Sequence, residues 1–206
     1  VGRGELYNSD PVSKDARLCG TTASLCGLEK ALYEQDEEEI RKAAGWVIML
    51  HAYLLVQSGI PVLYCGDEIG QLNDYSYHDD PMKCEDSRYL HRGKFQWDLQ
   101  KKICEEGTSQ HQIFNALKEL ETFRAEHKVF EAQADIEMLE TYDNAILGIK
   151  RSRDEEKLIA LFNFSQEEKT AWIQEDGLYT DVMSGEQKEA KAVLLPAGSF
   201  CWLYQV

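Results

Sequence analysis

Two textures of hydrophobic spacing divide the chain. In the first part, apolar positions recur at steps of three and four, the signature of helices with one buried face. "EQDEEEIRKAAGWVIMLHAYLLVQSG" is the longest such run, with Ile40, Ala43, Ala44, Val47, Leu50, Leu54 and Leu55 on its stripe. Its glutamate-rich start suits the positive end of a helix dipole, and Gly59 reads as the C-cap. A shorter helix is predicted over Thr21 to about Leu32. "SQHQIFNALKELETFRAEH" predicts another, with Ile113, Leu117, Leu120 and Phe123 as its stripe. Between the long helix and this one, "IPVLYC" is continuously apolar. That is the pattern of a strand covered on both faces, as in a parallel sheet. Helix, short turn and buried strand together form one unit of an α/β fold.

Beyond about Val129 the periodicity changes. Short apolar runs alternate with turn residues through "IEMLETY", "AILGIKRS", "KLIALFNFS", "KTAWIQ", "LYTDVMSG" and "AVLLPAGSFCWLYQV". About seven short strands at regular spacing predict a small antiparallel β-sandwich. The expected organisation is therefore residues 1–129 as an α/β part and 130–206 as an all-β domain. Residues 1–16 read as loop, rich in Gly, Asn, Asp and Pro. Gly66 to about Gly107 reads as a second, much longer loop, a length that usually signals function. The strand at Ile60 has no visible sister strands, so the first part reads as the last piece of a larger sheet or barrel.

Composition narrows the partners. Among 206 residues there are 37 acidic and 22 basic side chains, a net charge of -15. Nucleic acid and anionic membrane surfaces both require the opposite sign, whereas a neutral sugar is compatible. The longest apolar stretch, Trp46 to Val56, is broken by His51 and is too short to span a bilayer. The six cysteines form no CxxC pair and no Cys/His cluster with zinc spacing. They read as reduced thiols of a cytoplasmic protein, and no metal or cofactor is expected.

Candidate chemistry concentrates after the apolar run. Asp67 and Glu68 are adjacent, and neighbours on an extended strand point to opposite faces. They cannot flank one glycosidic bond as an acid/base pair must, so they are expected to bond loop amides instead. The following loop, "NDYSYHDDPMKCEDSRYLHRGKFQWD", mixes Asp, Tyr, His, Arg and Trp, the residues that bind sugar hydroxyls and cover sugar faces. "HDDP" and "EDS" carry oxygens of the kind that hold calcium, but their spacing is not that of a regular calcium loop. His78 and His91 have no partner evident in the sequence. Trp172 and Trp202 in the strand region are expected in the core, with an exposed aromatic platform as the alternative.

"GIPVLYCGDEIG" resembles the eighth barrel strand of the alpha-amylase family of glycoside hydrolases. "GDEIGQLNDYSYHDDPMKCEDSRYLHR" is similar to the LNDY…DSRW.HR run of its amylosucrase branch, and "YNSDPVSKDARLCGTTASLCGL" to the tract before that branch's seventh barrel helix. The resemblance implies the C-terminal remnant of a (β/α)8 barrel followed by an antiparallel sandwich. It implies an active site at the C-terminal ends of the strands and retaining transfer of glucose from sucrose or an α-glucan. The nucleophile, the acid/base and a further His-Asp pair belong to barrel strands four, five and seven, which these residues do not include. No catalytic residue is therefore expected here, and the chain alone is expected to be inactive. Two substrate-binding positions carry over: Arg17 in "DARLCGT", on the acceptor or fructosyl side, and Arg88 in "EDSRYLHR", at the pocket floor opposite an acid from an earlier loop. Tyr89 stands where the branch has Trp, and Gly93 where it often has Pro. Hydrolysis, transfer and phosphorolysis are all compatible with such a scaffold, and so is a non-catalytic sugar-binding or interaction module. Helix and strand faces left uncovered predict self-association or docking to the missing barrel portion.

Overall fold

The computed structural model describes residues 3–206; Val1 and Gly2, the start of the predicted opening loop, lie outside the described residues. Two compact units emerge, each built from two chain segments: residues up to 47 with 63–115, and residues 48–62 with 116–206. Two helices, α3 (Glu37–Val56) and α5 (Ser109–Glu126), each contribute one half to each unit.

In the first unit, residues 3–16 are not simply loop. Strands β1 (Glu5–Tyr7) and β2 (Arg17–Cys19) pair antiparallel. Three residues per strand are too few to show alternation, so the pairing left no pattern to read. The single helix expected over Thr21–Leu32 is two, α1 (Thr22–Leu25) and α2 (Leu28–Glu34). Gly27 separates them at φ 98°, a left-handed conformation that glycine adopts without penalty. Thr21 caps α1 by accepting the Ser24 N–H at 3.2 Å. Asp36 caps α3, accepting from Glu38 and Glu39 N–H at 3.1 Å each, a device worth about 1 kcal/mol.

The long loop is a chain of short turns. Three 3-10 turns, Asp67–Ile69, Tyr75–Asp79 and Ser87–His91, precede helix α4 (Trp97–Lys101). Aspartates staple it at intervals: Asp74, Asp80 and Asp86 accept the N–H two residues on, each at 3.0 Å.

The predicted strand at Ile60–Cys65 is absent. These residues are irregular, with Ile60, Val62 and Tyr64 exposed. Strand pairing among the described residues is antiparallel throughout. A strand exists only where a neighbour takes up its N–H and C=O groups, and no described residue offers that neighbour here.

The second unit carries the all-β region. Eight strands, β3 (Asp135–Leu139), β4 (Ile146–Arg153), β5 (Glu156–Asn163), β6 (Lys169–Trp172), β7 (Leu178–Asp181), β8 (Gln187–Glu189), β9 (Ala192–Leu195) and β10 (Phe200–Gln205), replace the seven expected. Six form one sheet in the order β3-β4-β5-β10-β7-β8, and β6 pairs with β9 in a ribbon. One sheet face packs with the ribbon around Ile159, Leu161, Ala171, Val193, Leu195 and Leu203. The other presents Ala160, Phe162 and Trp202, all fully buried. Tyr53 of α3 meets Phe162 edge-on at 5.7 Å, and Phe130 lies 5.5 Å from Trp202. With both faces covered, Leu158 to Asn163 are buried without alternation.

Helix α3 ends at Val56, three residues before the predicted glycine cap. Two guanidiniums take the place of that cap. Arg151, 1% exposed, donates to the carbonyls of Val56 at 3.1 Å and Val129 at 2.6 Å. Arg124 donates to Leu55 O and, at 2.9 Å, to Gly59 O. Both cations lie against the Phe130 ring, Arg124 at 5.0 Å and Arg151 at 5.5 Å. Positive charge at a helix C-terminus satisfies its orphan carbonyls and its dipole together.

Candidate functional site

Both predicted arginines neighbour Tyr7 in the first unit, Arg17 as its cross-strand partner and Arg88 at its ring. Register on the β1–β2 pair sets Arg17 directly opposite Tyr7, and directly paired residues share a face. The turn Ser87–His91 carries Arg88 to the same ring, its guanidinium 4.6 Å from the Tyr7 centroid. Leu90, fully buried, anchors that turn. Ser87 Oγ ties it to β1 by donating to Leu6 O at 3.0 Å.

Arg88 is held at two points. Its Nε donates to both Asp86 oxygens at 2.8 and 3.1 Å, and its Nη2 donates to Oδ2 at 2.7 Å. The planar fork matches the carboxylate. These bonds hold the Asp86 carboxyl down at about 2 and push the Arg88 guanidinium above its ordinary value. Among the described residues the acid that meets Arg88 is Asp86, two residues upstream on its own turn. Arg88 keeps 41% of its side chain exposed, and Arg17 is exposed. Arg88 presents its donors over the Tyr7 ring, and Arg17 stands exposed as the cross-strand partner of that residue.

Beside them lies a group that sequence reasoning missed. Glu5 of β1 accepts the Tyr77 hydroxyl at one oxygen and meets His78 Nε2 at 3.0 Å with the other. The His78 ring stacks on Tyr77 at 4.2 Å. Burial pushes the Tyr77 hydroxyl up, and the bond to Glu5 adds to it. His78 therefore has a partner, supplied by a strand too short to be foreseen. His91 meets the Tyr64 ring edge-on at 5.8 Å, and its pKa is lowered by burial and then by the Arg92 charge.

Two buried amides hold the loop beneath this surface. Asn73 accepts the Thr21 N–H at 2.8 Å, and its own N–H donates to Ser24 Oγ at 3.0 Å. Gln71 accepts the Gln96 N–H at 3.0 Å and donates to Lys94 O at 3.3 Å. Asp67 and Glu68 sit on a 3-10 turn, not on an extended strand. Glu68 accepts the Gly66 N–H at 2.8 Å, a loop-amide bond of the kind expected. Among the described residues, no cluster of three or more His, Cys, Asp or Glu side chains is placed to hold a metal. The oxygens of "HDDP" and "EDS" that looked like calcium donors include those that staple the turns. No helix among the described residues is long and apolar enough to cross a membrane.

The tryptophans split. Trp202 is fully buried, as expected, but Trp172 is 56% exposed. Trp172 ends ribbon strand β6 and stands on its solvent side, while Ala171 and Ile173 face the core.

No family model matches the chain. It is 28% identical over 138 residues to the glucosylglycerate phosphorylase of Escherichia coli (strain K12), covering 66% of this chain and 24% of that protein. The chain thus spans about a quarter of the length of this curated relative. Among solved structures it is similar to AmyP in complex with maltotriose, with a TM-score of 0.62 at 16% identity over 79% of this chain and 35% of that one. It is also similar to the trehalulose synthase MutB from Pseudomonas mesoacidophila MX-45, with a TM-score of 0.58 at 16% identity over 78% of this chain and 38% of that one. The identities to the solved structures are low, and those likenesses are likenesses of fold.

Proposed function

We propose that this chain, which resembles the alpha-amylase family in sequence and in fold, is the C-terminal portion of a retaining, amylosucrase-like glucosyltransferase or glycosidase. In this proposal residues 1–129 complete a (β/α)8 barrel and residues 130–206 form its C-terminal β domain. The substrate is sucrose or an α-glucan. The nucleophile and acid/base come from barrel strands outside these residues, and Arg17 and Arg88 bind substrate. The observation that carries the proposal is Arg88 set on the Tyr7 ring with Arg17 as the cross-strand partner of Tyr7, donors beside an aromatic face of the kind a sugar pocket uses.

The test is enzymatic. The isolated chain should release no glucose from sucrose; release by the pure chain would overturn the proposal. In the complete protein, Arg88→Lys should cost about tenfold or more in kcat/KM, because Lys cannot make the two-point fork. Unchanged kinetics would remove Arg88 from the site. The uncovered residues Ile60, Val62 and Tyr64, 91%, 76% and 51% exposed, support docking to the remaining barrel strands or self-association. Light scattering of the chain should then show species larger than a monomer.

A second reading, a carbohydrate-binding or interaction module, is favoured by the outward Trp172. Calorimetric titration with maltooligosaccharides checks it, with measurable heat expected at millimolar ligand.

A further inference from the structure

An open groove of about 340 Å³ lies along β3 in the second unit, with Met138, Tyr142 and Lys150 in its lining. Tyr142 projects from a backbone at φ 57°, a left-handed conformation rare for an aromatic residue. Such strain persists only where the surroundings over-determine it, and it clusters at functional positions. Here the surroundings are visible. Thr141 Oγ1 donates to Ile146 O at 2.8 Å, Asp143 accepts the Ala145 N–H at 2.8 Å, and Lys169 pairs with Asp143 at 2.7 Å. Gly148 leaves room for the turn: a Cβ there would come within 2.9 Å of the Thr141 methyl and 3.0 Å of Leu139 Cβ. The result is a ring 62% exposed at the groove, its hydroxyl accepting from Gln174 Nε2 at 2.5 Å. Met138, 66% exposed, adds a second apolar contact.

The polar side is equally organised. Lys150 pairs with Glu175 at 2.6 Å and with its cross-strand neighbour Glu137 at 3.2 Å. Lys150 and Glu175 are each 19% exposed. Glu140 accepts the Tyr142 N–H at 3.3 Å. Three carboxylates and one ammonium leave a net negative groove, which repels phosphates and carboxylates. Lys150 offsets one of those charges and engages both Glu137 and Glu175 in ion pairs, so neither carboxylate is free of a partner. What suits a fixed aromatic face, an amide and a paired ammonium–carboxylate row is a neutral polyhydroxylated ring: apolar C–H face on the tyrosine, hydroxyls on the charged row.

We infer that this groove is a binding site for a neutral oligosaccharide, with Tyr142 as its stacking platform. The inference deepens the module reading above, and the choice of a glucan as the probe rests on the enzymatic one.

The experiment titrates the full chain with maltotriose, following the backbone amide of Tyr142 and the side-chain amide of Gln174 by NMR. Saturable shifts of both signals are expected, and glucose 6-phosphate should give none. Tyr142→Asn removes the ring but tolerates the left-handed backbone, so the fold is kept and binding should weaken about tenfold or more. Tyr142→Phe should bind within about threefold of the parent chain. No saturable shift, equal binding of the phosphorylated sugar, or undiminished binding by Tyr142→Asn would each overturn the groove. Loss of binding in Trp172→Ala but not in Tyr142→Asn would transfer the site to the ribbon and leave the module reading intact. Tyr142-dependent shifts in a chain whose complete protein proves inactive on sucrose and glucans would sink only the enzymatic proposal.

Discussion

Replacing Arg151 by Met should destabilise the second unit by about 2–4 kcal/mol. Met keeps much of the apolar stem but removes the donors to Val56 O and Val129 O. A buried acceptor left without a partner costs about 1–3 kcal/mol, so two cost about 2–6. Loss of positive charge at the end of α3 adds about 0.3–1 kcal/mol. Against this, the guanidinium is itself buried among carbonyls, and burial pulls its pKa down from the ordinary value. Removing it relieves that desolvation and brings the sum to the lower half of the range. For a chain of this size the loss corresponds to a fall of about 5–15 °C in Tm. Tryptophan fluorescence during heating is the natural assay, because Trp202 stacks near the Phe130 ring that Arg151 covers. Arg153→Met, on the same strand, is the control. Its contacts to Glu131 at 3.6 Å and Asp154 at 4.0 Å are long and partly solvated, and exposed pairs of this kind contribute about 0–1 kcal/mol. A Tm for Arg151→Met within about 1 °C of the parent would refute the capping role, since both carbonyls would then find water at no cost.

Two further outcomes are expected. Trp202→Ala should cost about 3–5 kcal/mol, since the ring is fully buried, whereas Trp172→Ala should stay within about 0.5 kcal/mol; urea midpoints separate them. For Asp86, depressed in the folded chain to about 2 from an ordinary 3.8, the stabilising contribution is fully present above pH 3.8 and is lost as pH falls through about 2. The Arg88 Nε–H resonance should therefore hold its shift from pH 5 to about pH 3.5 and move as the pH falls toward 2, and Asp86→Asn should abolish that movement.

Much of the architecture was legible because it depends on local periodicity. The stripe Ile113, Leu117, Leu120 of α5 is buried as its spacing required, and the turn-separated runs after Val129 became strands. Failures arose where a second chain segment decides the outcome. "IPVLYC" has the composition of a buried strand, but composition supplies no hydrogen-bonding neighbour. Trp172 and Trp202 look alike in sequence, yet one stands on the solvent side of a two-stranded ribbon and the other on a sheet face covered by Phe123 and Phe130. "IKRSR" reads as a solvated strand end, and nothing local reveals that Arg151 points at helix carbonyls far away in sequence. Arg17 and Arg88 were singled out by motif alone. Tyr7, whose ring meets Arg88 and whose cross-strand partner is Arg17, and Glu5, which holds Tyr77 and His78, lie on a three-residue strand with no readable period.

The two-faced sheet of the second unit bears on how such chains recombine. Its inner layer is closed from its own sequence by the β6–β9 ribbon, but its outer layer is roofed by residues 48–62 and 116–130, which precede the strands. A crossover that transplanted the strands alone onto a foreign scaffold would strip the roof from Phe162 and Trp202 and strand Arg151 without carbonyls. The inheritable cassette is the sheet together with its two helix halves, and Tyr53, Phe130 and Arg151 should exchange as a set between lineages or not at all.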